Sequence, residues 1–262
     1  MVGYLSAVWR CRYFLMSLVR MDLRTRYRGS VLGLGWSLLH PIAMTATLCL
    51  VFRHLFQMNA RDFAPFLLAG LSCWNYITAT TLQGCRCFFQ GESYIRQYPA
   101  PLAIYPLRTA LGGMIHFLLA LLVVLMLRLV VYGLPDPLAF LSLLPSLLML
   151  FLLGWGMAVI AGFLNVYFQD TQHLAEIGFQ ILFYATPIIY KPELLLQRQY
   201  LQWLVILNPF VSFLELIRAP LLDGSHVPSM QAYIIASATV AFVLGLAGLL
   251  LYHCQRRLIF YL

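Results

Sequence analysis

The chain has 262 residues, of which 62% are hydrophobic and 10% charged, and a mean hydropathy of +0.83. A water-soluble domain of this length needs far more charge to cover its surface, so the composition excludes one and indicates a polytopic membrane protein. The net charge of +8, from 17 basic and 9 acidic residues, is concentrated at the amino-terminal end, which reads as membrane topology rather than nucleic-acid binding.

Residues 3–21 are predicted to form a helix along the membrane surface. Leu5, Val8, Trp9, Phe14, Leu15 and Leu18 give an imperfect apolar stripe, and Arg10, Arg12 and Arg20 can reach head groups. Arg24, Arg26 and Arg28 follow, alternating with Thr25 and Tyr27, and a long apolar run begins at once. This arginine-rich start marks the end as cytoplasmic. No cleavable signal peptide is visible, so the first span, residues 33–56, is expected to act as an uncleaved signal-anchor. Pro41 inside it should kink or break the helix near its cytoplasmic end.

Span two is predicted over residues 63–85. Residues 86–106 read as a cytoplasmic loop: Phe88, Phe89, Tyr94, Ile95 and Tyr98 alternate with Glu92 and Arg96, giving a short amphipathic helix. Pro99, Pro101 and Pro106 then stiffen the chain into a strap. Span three covers residues 107–132, and Gly133-Leu-Pro-Asp-Pro137 signals an outer turn. Span four covers residues 138–165, and Asp170 is placed to cap span five, residues 171–190, with Pro187 near its outer end.

Residues 191–229 are too apolar for an ordinary loop, yet Asn208-Pro209 and Ala219-Pro220 cut them into pieces too short to span. Two short re-entrant helices on the outer side fit this pattern. Span six, residues 231–252, is followed by Arg256 and Arg257. Six spans return both ends to the cytoplasm and leave Arg53, Arg61, Arg128, Lys191, Arg198 and Arg218 outside. The whole, residues 1–262, is expected to be one all-α membrane domain. Its parts are an interfacial segment (1–30), a cytoplasmic loop (86–106) and a re-entrant outer region (191–229).

Candidate chemistry is sparse. The sequence has no Gly-x-x-x-x-Gly-Lys-Ser/Thr loop to cradle ATP, no His-Glu-x-x-His and no serine elbow. The spans lack the paired carboxylates that ion-coupled carriers use. Cys11, Cys49, Cys73, Cys85, Cys87 and Cys254 have no framework spacing and are expected to be free thiols, with no metal site. His116 is expected to hydrogen-bond a neighbouring helix, and Gly112-Gly113 to let one approach closely. Many Tyr and Trp residues suit interfacial belts, among them Trp9, Tyr132, Tyr190, Trp203, Tyr233 and Tyr252. Tyr76, Phe117 and Trp155 fall at depth, where they either pack or line a path suited to the apolar C–H faces of sugars. Arg24, Arg26 and Arg28 read either as topogenic charges or as forked contacts to phosphate.

Asp22-Leu-Arg-Thr-Arg-Tyr-Arg-Gly-Ser-Val-Leu-Gly-Leu-Gly-Trp36, followed by Pro41, resembles the opening of polysaccharide-export ABC permeases of the Wzm type. Capsule (KpsM) and teichoic-acid (TagG) permeases are related to these. The likeness continues through Phe66-Leu-Leu-Ala-Gly-Leu-Ser-Cys-Trp74, Tyr98-Pro99, Asn165-Val-Tyr-Phe-Gln-Asp170, Tyr184-Ala-Thr-Pro-Ile-Ile-Tyr190 and Asn208-Pro209, in order along nearly the whole chain.

The resemblance implies a non-enzymatic permease of the bacterial inner membrane. It would pair with a second copy and with two copies of an ATPase subunit that binds ATP and Mg; no cofactor or metal is expected in this chain. Its cargo would be an undecaprenyl-diphosphate-linked polysaccharide, with O-antigen favoured over capsule or teichoic acid. Arg24, Arg26 and Arg28 would then receive the lipid diphosphate, and Tyr76, Phe117 and Trp155 would line the channel. Glu92, Arg96, Tyr98 and Pro99 would couple to the ATPase, and Pro187, Tyr190, Asn208 and Pro209 would form an outer gate. Two positions depart from the family: Gln169 stands where arginine is common, and Tyr98-Pro-Ala-Pro101 replaces Phe-Pro-Arg/Lys. The competing reading is a membrane-embedded transferase acting on lipid-linked sugars, for which Asp22, Glu92, Asp170 and Glu176 are the acids on the cytoplasmic side.

Overall fold

The computed structural model describes residues 2–30, 33, 35–52, 60–97, 100–134, 136–192, 202–222 and 226–258. Among the described residues every regular element is a helix. Helix α1 (Val2–Arg10) and helix α2 (Arg12–Tyr27) meet at Cys11, so the surface helix expected over residues 3–21 is two helices and runs further. Nothing in residues 22–27 opposes a helix, since leucine and arginine are good helix formers. The stop comes at Gly29, whose φ of +78° provides the left-handed residue that commonly follows a helix.

Helix α3 (Gly35–Phe52) continues through Pro41 rather than ending there. Helix α4 (Ala60–Gln97) holds 38 residues. Span two and the amphipathic helix of the expected cytoplasmic loop are therefore one rod, about 57 Å long at 1.5 Å per residue. No proline interrupts residues 86–97, and Gly91 sits where the Tyr105 ring leaves no room for a Cβ.

Helix α5 (Ile104–Tyr132) ends at Gly133. The predicted turn follows, and Asp136 caps helix α6 (Pro137–Leu141) by accepting from the Leu138 N–H at 3.3 Å. Helix α7 (Leu143–Tyr167) follows, then α8 (Thr171–Ala185). Asp170 precedes α8 but its carboxylate makes no cap bond, contrary to expectation. Its φ and ψ of −72° and −9° are already helical, whereas a capping oxygen is aimed by an extended backbone. Two short helices, α9 (Gln202–Ile206) and α10 (Pro209–Arg218), precede α11 (Met230–Leu258).

Three helical units among the described residues are long and apolar enough to cross a membrane: Ile104–Tyr132, Pro137–Tyr167 and Met230–Cys254. A shorter apolar helix covers Leu38–Val51.

Helix α4 is the hub, contacting α3, α5, α7, α8 and α10. Its seam with α7 is built from small residues. Gly154, Ala158 and Gly162 recur every four residues and so share one face of α7. Gly154 lies against Tyr76, Ala158 against Gly84, and Gly162 against Phe88 and the Gly84 carbonyl. Close backbone approach through small residues is how membrane helices gain packing without a hydrophobic drive between them. Asn165, on the next turn, donates Nδ2–H to the Cys85 carbonyl at 2.8 Å. On the other side of α4, Gly113 of α5 packs against Thr80 and Tyr76, the close approach expected of the glycine pair, while Gly112 faces open space. All six cysteines are free thiols.

Candidate functional site

Two grooves flank α3. The wider one, about 500 Å³, lies between α3, α4 and α5 and includes Trp36, His40, Asn75, Tyr76, His116 and Phe117 in its lining. The second, about 310 Å³, lies between α3, α4 and α8, where His40, Asn75 and Glu176 face Trp74, Phe183 and Tyr184. Trp74 organises the second groove. It meets Phe179 and Phe210 edge-on at 5.9 and 5.6 Å, and Phe183 at 6.2 Å. Aromatic faces beside amide and carboxylate groups can serve both the C–H faces and the hydroxyls of a sugar.

The structure brings together two of the three deep aromatics singled out in the sequence. Tyr76 and Phe117 stand 5.8 Å apart in the wider groove, both largely buried. Glycines at positions 113 and 154 make room for the Tyr76 ring. Trp155 does not join them. One residue beyond Gly154 on α7, it is turned by about 100° around the helix and packs with the cluster containing Phe88, Phe163 and Ala247.

Arg24 and Arg28 are exposed at the carboxyl-terminal end of α2; the Arg26 side chain lies outside the described residues. Cations there complement the helix dipole. The sequence reading missed what holds this end in place. Buried Arg108 of α5 makes a forked ion pair with Asp22, its Nε donating to one carboxylate oxygen and its Nη2 to the other. Leu15, Leu18 and Val19 of α2 pack beside this pair on Ile104. The signal was a lone acid within an arginine-rich strip, together with an arginine at the start of an apolar span.

Glu92 and Arg96 pair at 2.9 Å on the last turns of α4; Tyr98 and Pro99 lie outside the described residues. Tyr94, between them, meets Phe14 of α2 edge-on at 5.8 Å. A polar chain unforeseen in the sequence joins α4 to α8. Arg86 Nε donates to Gln172 at 2.5 Å, and Gln172 Nε2 donates to Glu176 at 2.7 Å.

Pro187, Tyr190, Asn208 and Pro209 gather where the end of α8 meets α10. Asn208 Nδ2 donates to Thr186 Oγ1 at 2.7 Å, while its Oδ1 accepts from the Phe210 N–H at 3.0 Å and caps α10. Pro209 occupies the first turn of α10, where its missing N–H costs nothing. The Pro187 carbonyl accepts from Arg218, and Tyr190 donates to the Tyr184 carbonyl at 2.8 Å. Substituting Asn208→Ala removes both bonds and is expected to cost about 0.5–2 kcal/mol, the usual range for a lost cap. Asn208→Asp, which keeps the cap and loses the amide donor, should fall between it and the wild type in thermal unfolding.

Among the described residues, no group of three His, Cys, Asp or Glu side chains is placed to hold a metal ion.

Comparison with known proteins bears on this arrangement. The ABC-2 type transporter family matches residues 13–222, a stretch holding α2, both grooves and the α8–α10 junction. The O-antigen export system permease protein RfbA of Klebsiella pneumoniae is 25% identical over 240 residues, covering 91% of this chain and 90% of that protein. The RfbA permease of Myxococcus xanthus is 25% identical over 257 residues, covering 98% and 97%. The likeness to Wzm-type polysaccharide permeases thus holds along nearly the whole chain. With its long apolar helices, this chain belongs to the ABC-2 type transporter family and is a multi-pass membrane permease.

Proposed function

We propose that the chain is the channel-forming subunit of an ATP-driven exporter. It carries an undecaprenyl-diphosphate-linked polysaccharide, O-antigen in class, across the bacterial inner membrane. The observation that carries this reading is the pair of aromatic and polar grooves beside α3, in a chain similar over most of its length to O-antigen export permeases. Two copies would face each other and dock two ATPase subunits, which bind the ATP and Mg.

Six spans would be supplied by α3, α4, α5, the α6–α7 unit, α8 and α11, with both termini in the cytoplasm. Helix α8 rises only about 22 Å, so residues 186–190 would complete its crossing. Arg24, Arg26 and Arg28 would receive the lipid diphosphate through forked, charge-assisted bonds. Tyr76 and Phe117, with Trp74 and Asn75, would line the path. The cytoplasmic end of the α4 rod, with Glu92 and Arg96, would take the stroke of the ATPase. Pro187, Tyr190, Asn208 and Pro209 would form the outer gate.

The placement of the acids supports this reading over a membrane-embedded transferase. Asp22 is committed to Arg108 and Glu92 to Arg96, on different helices. Asp170 precedes α8, and Glu176, on its second turn, accepts from Gln172.

Deletion of the gene tests the proposal in the cell. Surface glycan should disappear, with its lipid-linked precursor accumulating inside, and should return with the wild-type chain. Normal surface glycan in the deletion strain would contradict the reading.

A further inference from the structure

Arg218 ends α10, and only 6% of its surface is exposed. Its socket is built from two other elements. Nη1 donates to the Pro187 carbonyl at 2.7 Å and Nη2 to the Ile188 carbonyl at 2.6 Å. The guanidinium carbon lies 3.7 Å from the centre of the Phe66 ring of α4, a cation–π contact. One turn along α4, Gly70 leaves the space that the guanidinium fills, and a Cβ there would overlap it. Among the described residues no carboxylate forms an ion pair with Arg218; two carbonyl dipoles and an aromatic face meet its charge, while its Nε is buried without a hydrogen-bond partner.

A buried cation without a counter-ion is a poor device for stability alone, because an apolar side chain of similar length would fill the socket without the desolvation penalty. The fork does supply geometry. Arg218 holds residues 187 and 188 from the carboxyl-terminal end of α10. Asn208 holds Thr186 from the amino-terminal end. Helix α10 is thus pinned at both ends to a three-residue strap that finishes α8. If the strap shifts, both carbonyl bonds break together and the guanidinium gains from meeting water, so the junction favours two discrete arrangements.

We propose that Arg218 is a latch: it fastens α10 to the end of α8 and to α4, and it keeps the outer mouth of the channel shut until the helices shift. It is a positioning residue, and the proposal rests on the export reading in that an outer mouth has meaning only there.

The test is ion conductance of the full permease–ATPase complex in planar bilayers without ATP or glycan. Wild type should be tight. Arg218→Met should leak several-fold more, Arg218→Lys, which can reach one carbonyl, should leak less than Arg218→Met, and Gly70→Ala, which crowds the guanidinium out of its socket, should also leak. Size-exclusion profile and thermal midpoint are measured alongside, because leakage in a complex of unchanged stability is not expected of a purely structural residue. If Arg218→Met fails to insert, Arg218→Lys and Gly70→Ala decide. Both being as tight as wild type overturns the latch; leakage in either at unchanged stability supports it. Glycan transport by the wild-type complex is a separate signal, so failure of the export reading is distinguished from failure of the latch.

Discussion

Asp22→Ala is expected to destabilise the permease by roughly 2–3 kcal/mol. Removing one partner of a buried ion pair costs about 3–5 kcal/mol, because the remaining charge stays buried and unpaired. The Arg108 side chain is only 9% exposed, but that of Asp22 is 39% exposed, so water screens part of the interaction and the loss falls below that range. The double variant Asp22→Ala, Arg108→Met should recover most of the loss, since it leaves no unpaired charge. Thermal unfolding of the purified permease checks both. An Asp22→Ala variant as stable as wild type would mean that apolar packing on Ile104, and not the ion pair, fixes α2. The stake is functional under the proposed export reading, in which the end of α2 would present Arg24 to the lipid diphosphate.

The second large effect belongs to the α4–α7 seam. A Cβ added at Gly84 would lie 2.6 Å from the Ala158 Cα, which is backbone and cannot rotate away. Overpacking a tight interior typically costs about 1–3 kcal/mol and occasionally more. Gly84→Ala should therefore lower the thermal midpoint markedly, and Gly84→Leu should abolish accumulation of folded protein in the membrane. Gly112→Ala is the control. Nothing lies within 4 Å of a Cβ there, and relief of a mid-helix glycine is worth about 0.5–1 kcal/mol. The control should be neutral or slightly stabilising. Equal effects at the two positions would show that the seam does not depend on close backbone approach.

The apolar runs over residues 107–132, 138–165 and 231–252 were legible because hydropathy and length are local properties, and helices stand there. The break between α5 and α6 was legible from Gly133 and Pro137, and the chopped region before α11 from its prolines. The continuity of α4 was not. Polar residues after Cys85 suggested a loop, but polarity marks where a helix leaves the membrane, not where it ends, and no breaker follows until Pro99.

Pairings distant in sequence were equally hidden. Asp22 and Arg108 are 86 residues apart, Arg86 and Gln172 likewise. Asp22 was read as a candidate acid, and neither arginine was given a partner. Arg218 was counted as an outside charge because sequence does not say that a guanidinium turns inward onto carbonyls. The grouping of Tyr76 with Phe117 but not Trp155 depends on one residue of helical rotation at Gly154, which a chain of near-uniform hydrophobicity does not reveal. The α8–α10 junction was foreshadowed by Pro187 and Asn208-Pro209 as punctuation; its hydrogen bonds were not.

In the proposed function the chain forms the path by which a lipid-linked glycan crosses the membrane, driven by a partner's ATP hydrolysis. This is tested most directly by reconstituting the permease with its ATPase in liposomes. Defined undecaprenyl-diphosphate-linked O-antigen is supplied on the leaflet that carries the ATPase, and glycan on the opposite leaflet is measured with a membrane-impermeant lectin. Lectin-accessible glycan should rise only when both proteins and hydrolysable ATP are present, with the glycan chemically unchanged. No ATP-dependent rise, or a glycan altered by the permease alone, would contradict it.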